Sequence, residues 1–449
     1  MGDLTAISLF TCGGIGDLAV RAAGFDILVS NELDAQRHAV FLHNFPECDS
    51  ITGDIWLSVD EIVQRTHQRL GGRELDAVFA TPPCQGMSKN GRGKLLNAIR
   101  AGLKPPMDVR NRLIIPTMTV IKALRPRIVV FENVPEMADT LLVDEAGLVL
   151  PIVDFIRREL GPEYDGKAEV VEFADYGVPQ CRQRLITIFS RHDDLRRWLK
   201  ENGTLLPLPT HASRPSSGRR IWRTVRDAIA DFPPLDAREL ETATSRDVPF
   251  HSVPVLDAMK YWWVQHTPAE RTAFDNQCVE CGFGSNLVHS ARRDVHGVNR
   301  TTGEAPVHCI ACGKLLPRPS VEFEGRRRLM KGFTSAYKRM SYDKPASALT
   351  RNLSYACSDN KLHPEQNRVL SLAEAFRLHT VDEFAYEWCS APDGQRVSDK
   401  VIRELIGESI PPAGFRVILE HLRNVYLGMA RSTWLEREAP LFASVSAEG

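Results

Sequence analysis

Cys84 stands directly after Pro82 and Pro83 in Thr81-Pro82-Pro83-Cys84-Gln85. The two prolines fix the backbone ahead of it, so a cysteine there is presented rigidly at a cleft. The thiolate, not the thiol, is the nucleophile, and a free thiol is largely protonated at neutral pH; it needs nearby positive charge, a helix N-terminus or a substrate that draws off its proton. Arg182 and Arg184, in Gln180-Cys181-Arg182-Gln183-Arg184, are candidates for that charge, and Glu132, in Phe131-Glu132-Asn133-Val134, ends a strand that places a carboxyl at the same sheet edge as Cys84. A different chemistry is written in Cys278, Cys281, Cys309 and Cys312, two Cys-x-x-Cys pairs each followed by glycine. That spacing suits a zinc ribbon, four thiolates around one Zn2+ with no open position, so the metal is expected to be structural. Taken singly, such residues are more often core cysteines, surface ion-pair partners or helix caps, and only their order and context give them weight.

These groups need elements that bring them to one edge. Short apolar strands are expected at Thr5 to Phe10, Asp26 to Ser30, Asp76 to Ala80, Ile128 to Glu132 and Arg184 to Ser190, with intervals long enough for crossover helices. The pattern is α/β with a mainly parallel sheet. Cys84, Glu132 and the arginines then fall at strand ends. A glycine-rich turn, Phe10-Thr11-Cys12-Gly13-Gly14-Ile15, follows the first strand and opens a helix. Glu32, in Asn31-Glu32-Leu33-Asp34, ends the second strand where an acid can bond ribose hydroxyls, and Asp54, after a probable third strand, is placed to accept from an adenine amine. Residues 201–220 have linker composition, 221–345 are irregular and rich in Arg, Trp and Cys, and helical spacing returns at Ser371 to Leu378 and Ala413 to Leu427. The expected division is a catalytic part at 1–200, a linker at 201–220, a separate module at 221–345, a return at 346–430 and a tail at 431–449.

In order, Phe-Thr-Cys-Gly-Gly, Asn-Glu-Leu-Asp, Pro-Pro-Cys-Gln, Glu-Asn-Val and Gln-x-Arg-x-Arg resemble the motif series of the cytosine-5 DNA methyltransferases. The series continues at Arg368 to Leu378 and closes with Ile406-Gly407-Glu408-Ser409-Ile410-Pro411-Pro412. The resemblance implies a Rossmann-like class I methyltransferase domain using S-adenosylmethionine, held by Phe10, Gly14, Ile15, Glu32, Leu33, Asp54, Ile55, Pro82 and Ser409. It implies that Cys84 adds to carbon 6 of a flipped cytosine, that a protonated Glu132 relieves charge at the ring nitrogen, and that Arg184 steadies the ring oxygen with Arg182 near Cys84. The middle module then takes the place of the target-recognition domain. Its Arg326, Arg327, Arg328, Lys331, Lys338 and Arg339, with Phe333 and Tyr337 interleaved, are expected to meet double-stranded DNA. Cys12 stands where the family has a first glycine, suggesting backbone that does not demand glycine. Glu408 stands where it has asparagine, which raises a modified S-adenosylmethionine as an alternative. A transfer-RNA cytosine-5 methyltransferase is the other rival, disfavoured by Gly332-Phe333-Thr334, which lacks that group's cysteine. A binding protein on a catalytically dead fold is disfavoured by the intact Cys84, Glu132, Arg182 and Arg184.

Over 449 residues the formal charge is −1, so no global field announces a polyanion partner, yet Lys and Arg outnumber acids in 182–227 and 318–351. Ten cysteines, four in the paired pattern, fit a reducing compartment better than a disulfide framework. With no basic lead ahead of the Leu4 to Phe10 run and no apolar stretch of membrane-spanning length, a cytoplasmic monomer is expected, nucleoid-associated when on DNA, with a cognate restriction endonuclease as a candidate partner.

Overall fold

Apolar runs in the first half of the chain are buried on nearly every residue of Leu4–Leu9 (β1), Phe25–Glu32 (β2), Ala77–Ala80 (β4, after Asp49–Thr52 as β3) and Ile128–Asn133 (β5). Such strands belong inside a parallel sheet covered on both faces. Two more, Asp165–Glu172 (β6) and Gln183–Ser190 (β7), complete a seven-stranded sheet in the order β3-β2-β1-β4-β5-β7-β6. The computed structural model describes residues 4–83, 109–288, 291–293, 299–301, 305–330 and 335–430. Cys84, Lys331, the Gly332-Phe333-Thr334 stretch and the tail at 431–449 lie outside them.

β1 to β5 pair in parallel, and β7 runs antiparallel between β5 and β6. Leu9, Ala80 and Phe131 share one row of the sheet, so Phe10, Thr81 and Glu132 begin its C-terminal edge together. Connections diverge to either side of β1, at the β1/β4 junction where open α/β sheets take their ligands.

The two-residue alternation of the strands feeds two cores. Ala6, Phe79 and Val130 face one layer, with Ile15–Ala22 (α1) and Ala35–Asn44 (α2); Ile7, Val78 and Val129 face the other, with Ile55–Leu70 (α3), Ile114–Leu124 (α4) and Ile152–Leu160 (α5). The first layer also receives Asp193–Asn202 (α6) and, from the far end of the chain, Asp399–Glu408 (α9) and Pro412–Tyr426 (α10). Within 201–220 the chain is docked: Leu205 is buried in the first core and Tyr176 Oη donates to the Pro207 carbonyl at 2.9 Å.

A third core is separate. It runs from Leu235 to Val369 and is built around Trp263 of Ala258–Gln265 (α7), whose ring meets Tyr337 edge-on at 5.6 Å. Leu372–Leu378 (α8) then rejoins the first core through a capping box, in which Ser371 and Glu374 each satisfy the other's backbone N–H. Cys278 and Cys309 form a small cluster of their own with Leu316 and Phe283. Among the described residues no helix is long and apolar enough to cross a membrane.

Candidate active site

The loop before Cys84 is tied from both sides. Thr81 donates its backbone N–H to the Leu9 carbonyl at 3.2 Å and its hydroxyl to the Phe10 carbonyl at 2.9 Å, which binds it to β1. From β5, Asn133 Nδ2 donates to the buried Pro82 carbonyl at 3.0 Å, while Asn133 Oδ1 accepts from the Val134 N–H. The proline pair that leads into Cys84 is therefore fastened to the strand that carries Glu132. Glu132 is 8% exposed, and Arg184 Nε lies 2.8 Å from its Oε1, at ion-pair distance but without hydrogen-bond alignment. In the sequence Asn133 carries only the signal of a polar residue at a strand end, and its part in holding the proline loop follows from the fold.

The expected neighbour of Arg182, Cys84, lies outside the described residues, and the partners of Arg182 that are described are backbone carbonyls. The Arg182 side chain is buried, and the guanidinium donates to the carbonyls of Leu349 at 2.7 Å, Gly407 at 2.8 Å and Ser409 at 2.6 Å. It clasps the closing Gly-Glu-Ser-Ile-Pro-Pro turn to the sheet. Ser409 is held from its other side, its hydroxyl 2.9 Å from His379 Nε2.

At the end of β1 the chain turns through left-handed backbone at Phe10 (φ 63°), Cys12 (φ 55°) and Gly14 (φ 82°). A Cβ on Gly14 would lie 2.6 Å from Phe45, so this position needs glycine for space as well as for conformation. Cys12 corrects its expectation: its backbone does adopt the region that glycine favours. The strain, about 1–2 kcal/mol, is offset by a bond from its N–H to a Glu32 carboxyl oxygen at 2.8 Å, where bonds to charged groups contribute about 1.5–3 kcal/mol. Glu32 accepts from the Asp34 N–H at 2.9 Å through its other oxygen, and burial raises its pKa. Asp34 and Asp54 cap α2 and α3, with Asp54 accepting from the Trp56 N–H at 3.0 Å and remaining open to solvent. Ile15 and Ile55 are buried in the two cores, whereas Leu33 is 66% exposed at the same edge. A tight glycine turn, an open acid and an open apolar side chain at three adjacent strand ends fit an adenosyl group.

Glu408 does not stand as an isolated carboxylate. Arg37 of α2 donates to its Oε2 at 2.7 Å, with the same Nη1 3.8 Å from Cys12 Sγ, and Tyr386 donates to the Gly13 carbonyl at 2.6 Å. Arg37 and Tyr386 carried no sequence signal, because their partners lie hundreds of positions away or follow from the fold.

In the module, Arg326, Arg327 and Arg328 lie on a hairpin of Arg326–Leu329 against Ser320–Phe323, with Arg326 exposed and Arg328 4.9 Å over the Phe323 ring. Lys338 is half-buried. Arg339 and Tyr337 are corrections: both are buried in the third core, and Arg339 donates to the carbonyls of Val264, Thr267, His363 and Gln366, so neither reaches a groove. The Sγ atoms of Cys278, Cys281, Cys309 and Cys312 lie within 4.8 Å of one another, with contacts of 3.5, 3.6 and 3.8 Å.

A mainly parallel seven-stranded sheet with an antiparallel penultimate strand, a glycine turn and acids at the ends of β1 to β3, and a buried carboxyl on the strand that anchors the Pro82 carbonyl define the class, a group-transfer enzyme of the α/β methyltransferase kind. More particularly, the chain belongs to the C-5 cytosine-specific DNA methylases, whose family profile matches residues 4–424. It is a DNA cytosine-5 methyltransferase, and its family implies S-adenosylmethionine as the methyl donor. Relatives include Type II methyltransferase M1.HgaI of Avibacterium volantium, 27% identical over 94% of this chain and 99% of that protein, and M.AgeI of Thalassovita gelatinovora, 25% identical over the same shares. The fold is shared with the S. pombe Dnmt2 methyltransferase (TM-score 0.50, 12% identity, covering 93% of this chain and 98% of that one).

Proposed function

We propose that Cys84 and Glu132 perform the transfer on a cytosine swung out of duplex DNA, with the 221–345 module reading the target sequence. The observation that carries this is the Asn133 bond to the Pro82 carbonyl, which couples the backbone leading into Cys84 to the strand bearing Glu132. The Cys84 thiolate forms a bond to carbon 6, and the ring's electrons move toward the nitrogen where a protonated Glu132 donates. Arg184, beside Glu132, supports the ring oxygen. Carbon 5, now nucleophilic, takes the methyl; a base or water removes its proton, the carbon–sulfur bond breaks and the thiolate departs. S-adenosylmethionine, when bound at the Gly14, Glu32 and Asp54 edge, supplies that methyl from a sulfonium. Arg182 is a positioning residue in this reading, holding the Ser409 turn through carbonyls.

One Zn2+ is proposed at Cys278, Cys281, Cys309 and Cys312. Four thiolates at a Zn–S distance of about 2.3 Å in a tetrahedron stand about 3.8 Å apart, and the observed contacts of 3.5 to 3.8 Å need little adjustment. Arg326, Arg327, Arg328, Lys331 and Lys338 are proposed to meet the DNA backbone. The Type II designation of the relatives supports a modification enzyme working beside a cognate restriction endonuclease; a cytoplasmic monomer is proposed with it. The family favours duplex DNA over transfer RNA, and Arg37 compensates the charge of Glu408, which favours ordinary S-adenosylmethionine. Labelled S-adenosylmethionine with duplex DNA or transfer RNA, followed by mass spectrometry of digested nucleosides, tests the reading. A single methyl increment on DNA cytosine is expected; label in transfer RNA, a larger increment, or no label in either would overturn it.

A further inference from the structure

Among the described residues, outside the active site and the four paired cysteines, one more cluster of ligand-type side chains comes together: His43 at the end of α2, and Glu387 and Cys389 from the stretch before α9. Their donor atoms lie within 4.8 Å of one another, and His43 Nε2 is 2.8 Å from Glu387 Oε2. Taken alone, that pair is a surface contact of little energetic weight. The backbone around it says more. Asn44 grips residue 387 with both ends of its amide, Nδ2 donating to the Glu387 carbonyl at 2.9 Å and Oδ1 accepting from the Glu387 N–H at 2.8 Å. Farther on, the Ala391 N–H donates to the Ala39 carbonyl at 2.8 Å. Trp388, between the two ligands, is buried and stacked on Phe376 at 4.6 Å. With Trp388 seated in the core, Glu387 and Cys389 on either side of it are left with their donor atoms within reach of His43.

We infer that His43, Glu387 and Cys389 form a metal site for one borderline divalent cation of the Zn2+ type. An imidazole, a thiolate and a carboxylate are the donor set such a cation takes, with a fourth position left to water. Zn–N and Zn–O bonds of about 2.0–2.2 Å at a tetrahedral angle place the two atoms about 3.4 Å apart, so the His43–Glu387 contact opens by roughly half an ångström as the ion enters. Glu387 is 73% exposed on its side chain, which leaves an entry path and makes the site exchangeable. Its consequence lies one residue away, where Tyr386 bonds the Gly13 carbonyl of the glycine turn. A cation here pins residues 386–391 to α2 and stiffens that turn.

Equilibrium dialysis of the full chain against micromolar Zn2+ under reducing conditions, with bound metal counted by elemental analysis, tests the site independently of the four-cysteine one. The wild type is expected to hold one equivalent more than Cys389→Ser and one more than His43→Gln. Co2+ substitution should show the thiolate charge-transfer intensity falling in Cys389→Ser. Equal metal content in the wild type and either variant overturns the inference, because a bystander thiol or a plain ion pair predicts that result.

Discussion

Asp17, in the first turn of α1, is 5% exposed, and burial pushes its carboxyl up to about 7 although Ser8 Oγ donates to it at 2.5 Å. Between the ordinary aspartate range and pH 7 the unfolded chain is ionised there while the folded one holds the proton. Folding then binds a proton, and Asp17's contribution to stability falls as pH rises through that window. Urea unfolding at several pH values should therefore show Asp17→Asn gaining on the wild type from about pH 4 to pH 7, by on the order of a few kcal/mol in total. A difference that stays flat across the window would refute the assignment. At the reacting centre, Cys84→Ser should abolish transfer while leaving cofactor affinity near its wild-type value, measured by calorimetry. Glu132→Gln should lower the transfer rate by about 10²–10⁴-fold.

At the scale of elements, the buried strands were legible because a strand covered on both faces is apolar throughout. β6 was not: Asp165-Gly-Lys-Ala-Glu-Val-Val-Glu lies at the sheet edge with most residues partly or fully exposed, and nothing in its composition marks a strand. The strand-end placement of Thr81 and Glu132 was legible, but the carbonyl partners of Arg182 and Arg339 were not. Basic residues bound for a phosphate and for a buried carbonyl cluster look alike in sequence. Their chemistry separates them. Removing any one of Arg326, Arg327 or Arg328 should reduce the salt dependence of DNA binding by about one counterion while leaving the melting temperature nearly unchanged. Arg339→Ala should do the reverse, lowering the melting temperature and leaving the salt slope of the folded fraction intact, because it strips a buried core of the donor to four carbonyls.

Across the whole molecule the sheet and the third core are distinct apolar bodies sharing one chain, and the four-cysteine cluster belongs to neither. In the Cys389→Ser variant, which keeps only the four-cysteine cluster, a strong chelator is accordingly expected to weaken duplex binding, followed by anisotropy, at concentrations that leave S-adenosylmethionine binding unchanged; loss of cofactor binding first would contradict the proposed division of labour. The clasp made by Arg182 carries a further implication for synthesis. Arg182 and Gly407 are 225 positions apart, so at roughly 5–20 residues per second a ribosome that has made the sheet still needs on the order of ten to forty-five seconds before the closing turn can seat. A nascent chain stalled in that interval has Arg182 but not the Gly407 and Ser409 carbonyls it holds, so methylation is expected only from chains whose synthesis has passed Ser409.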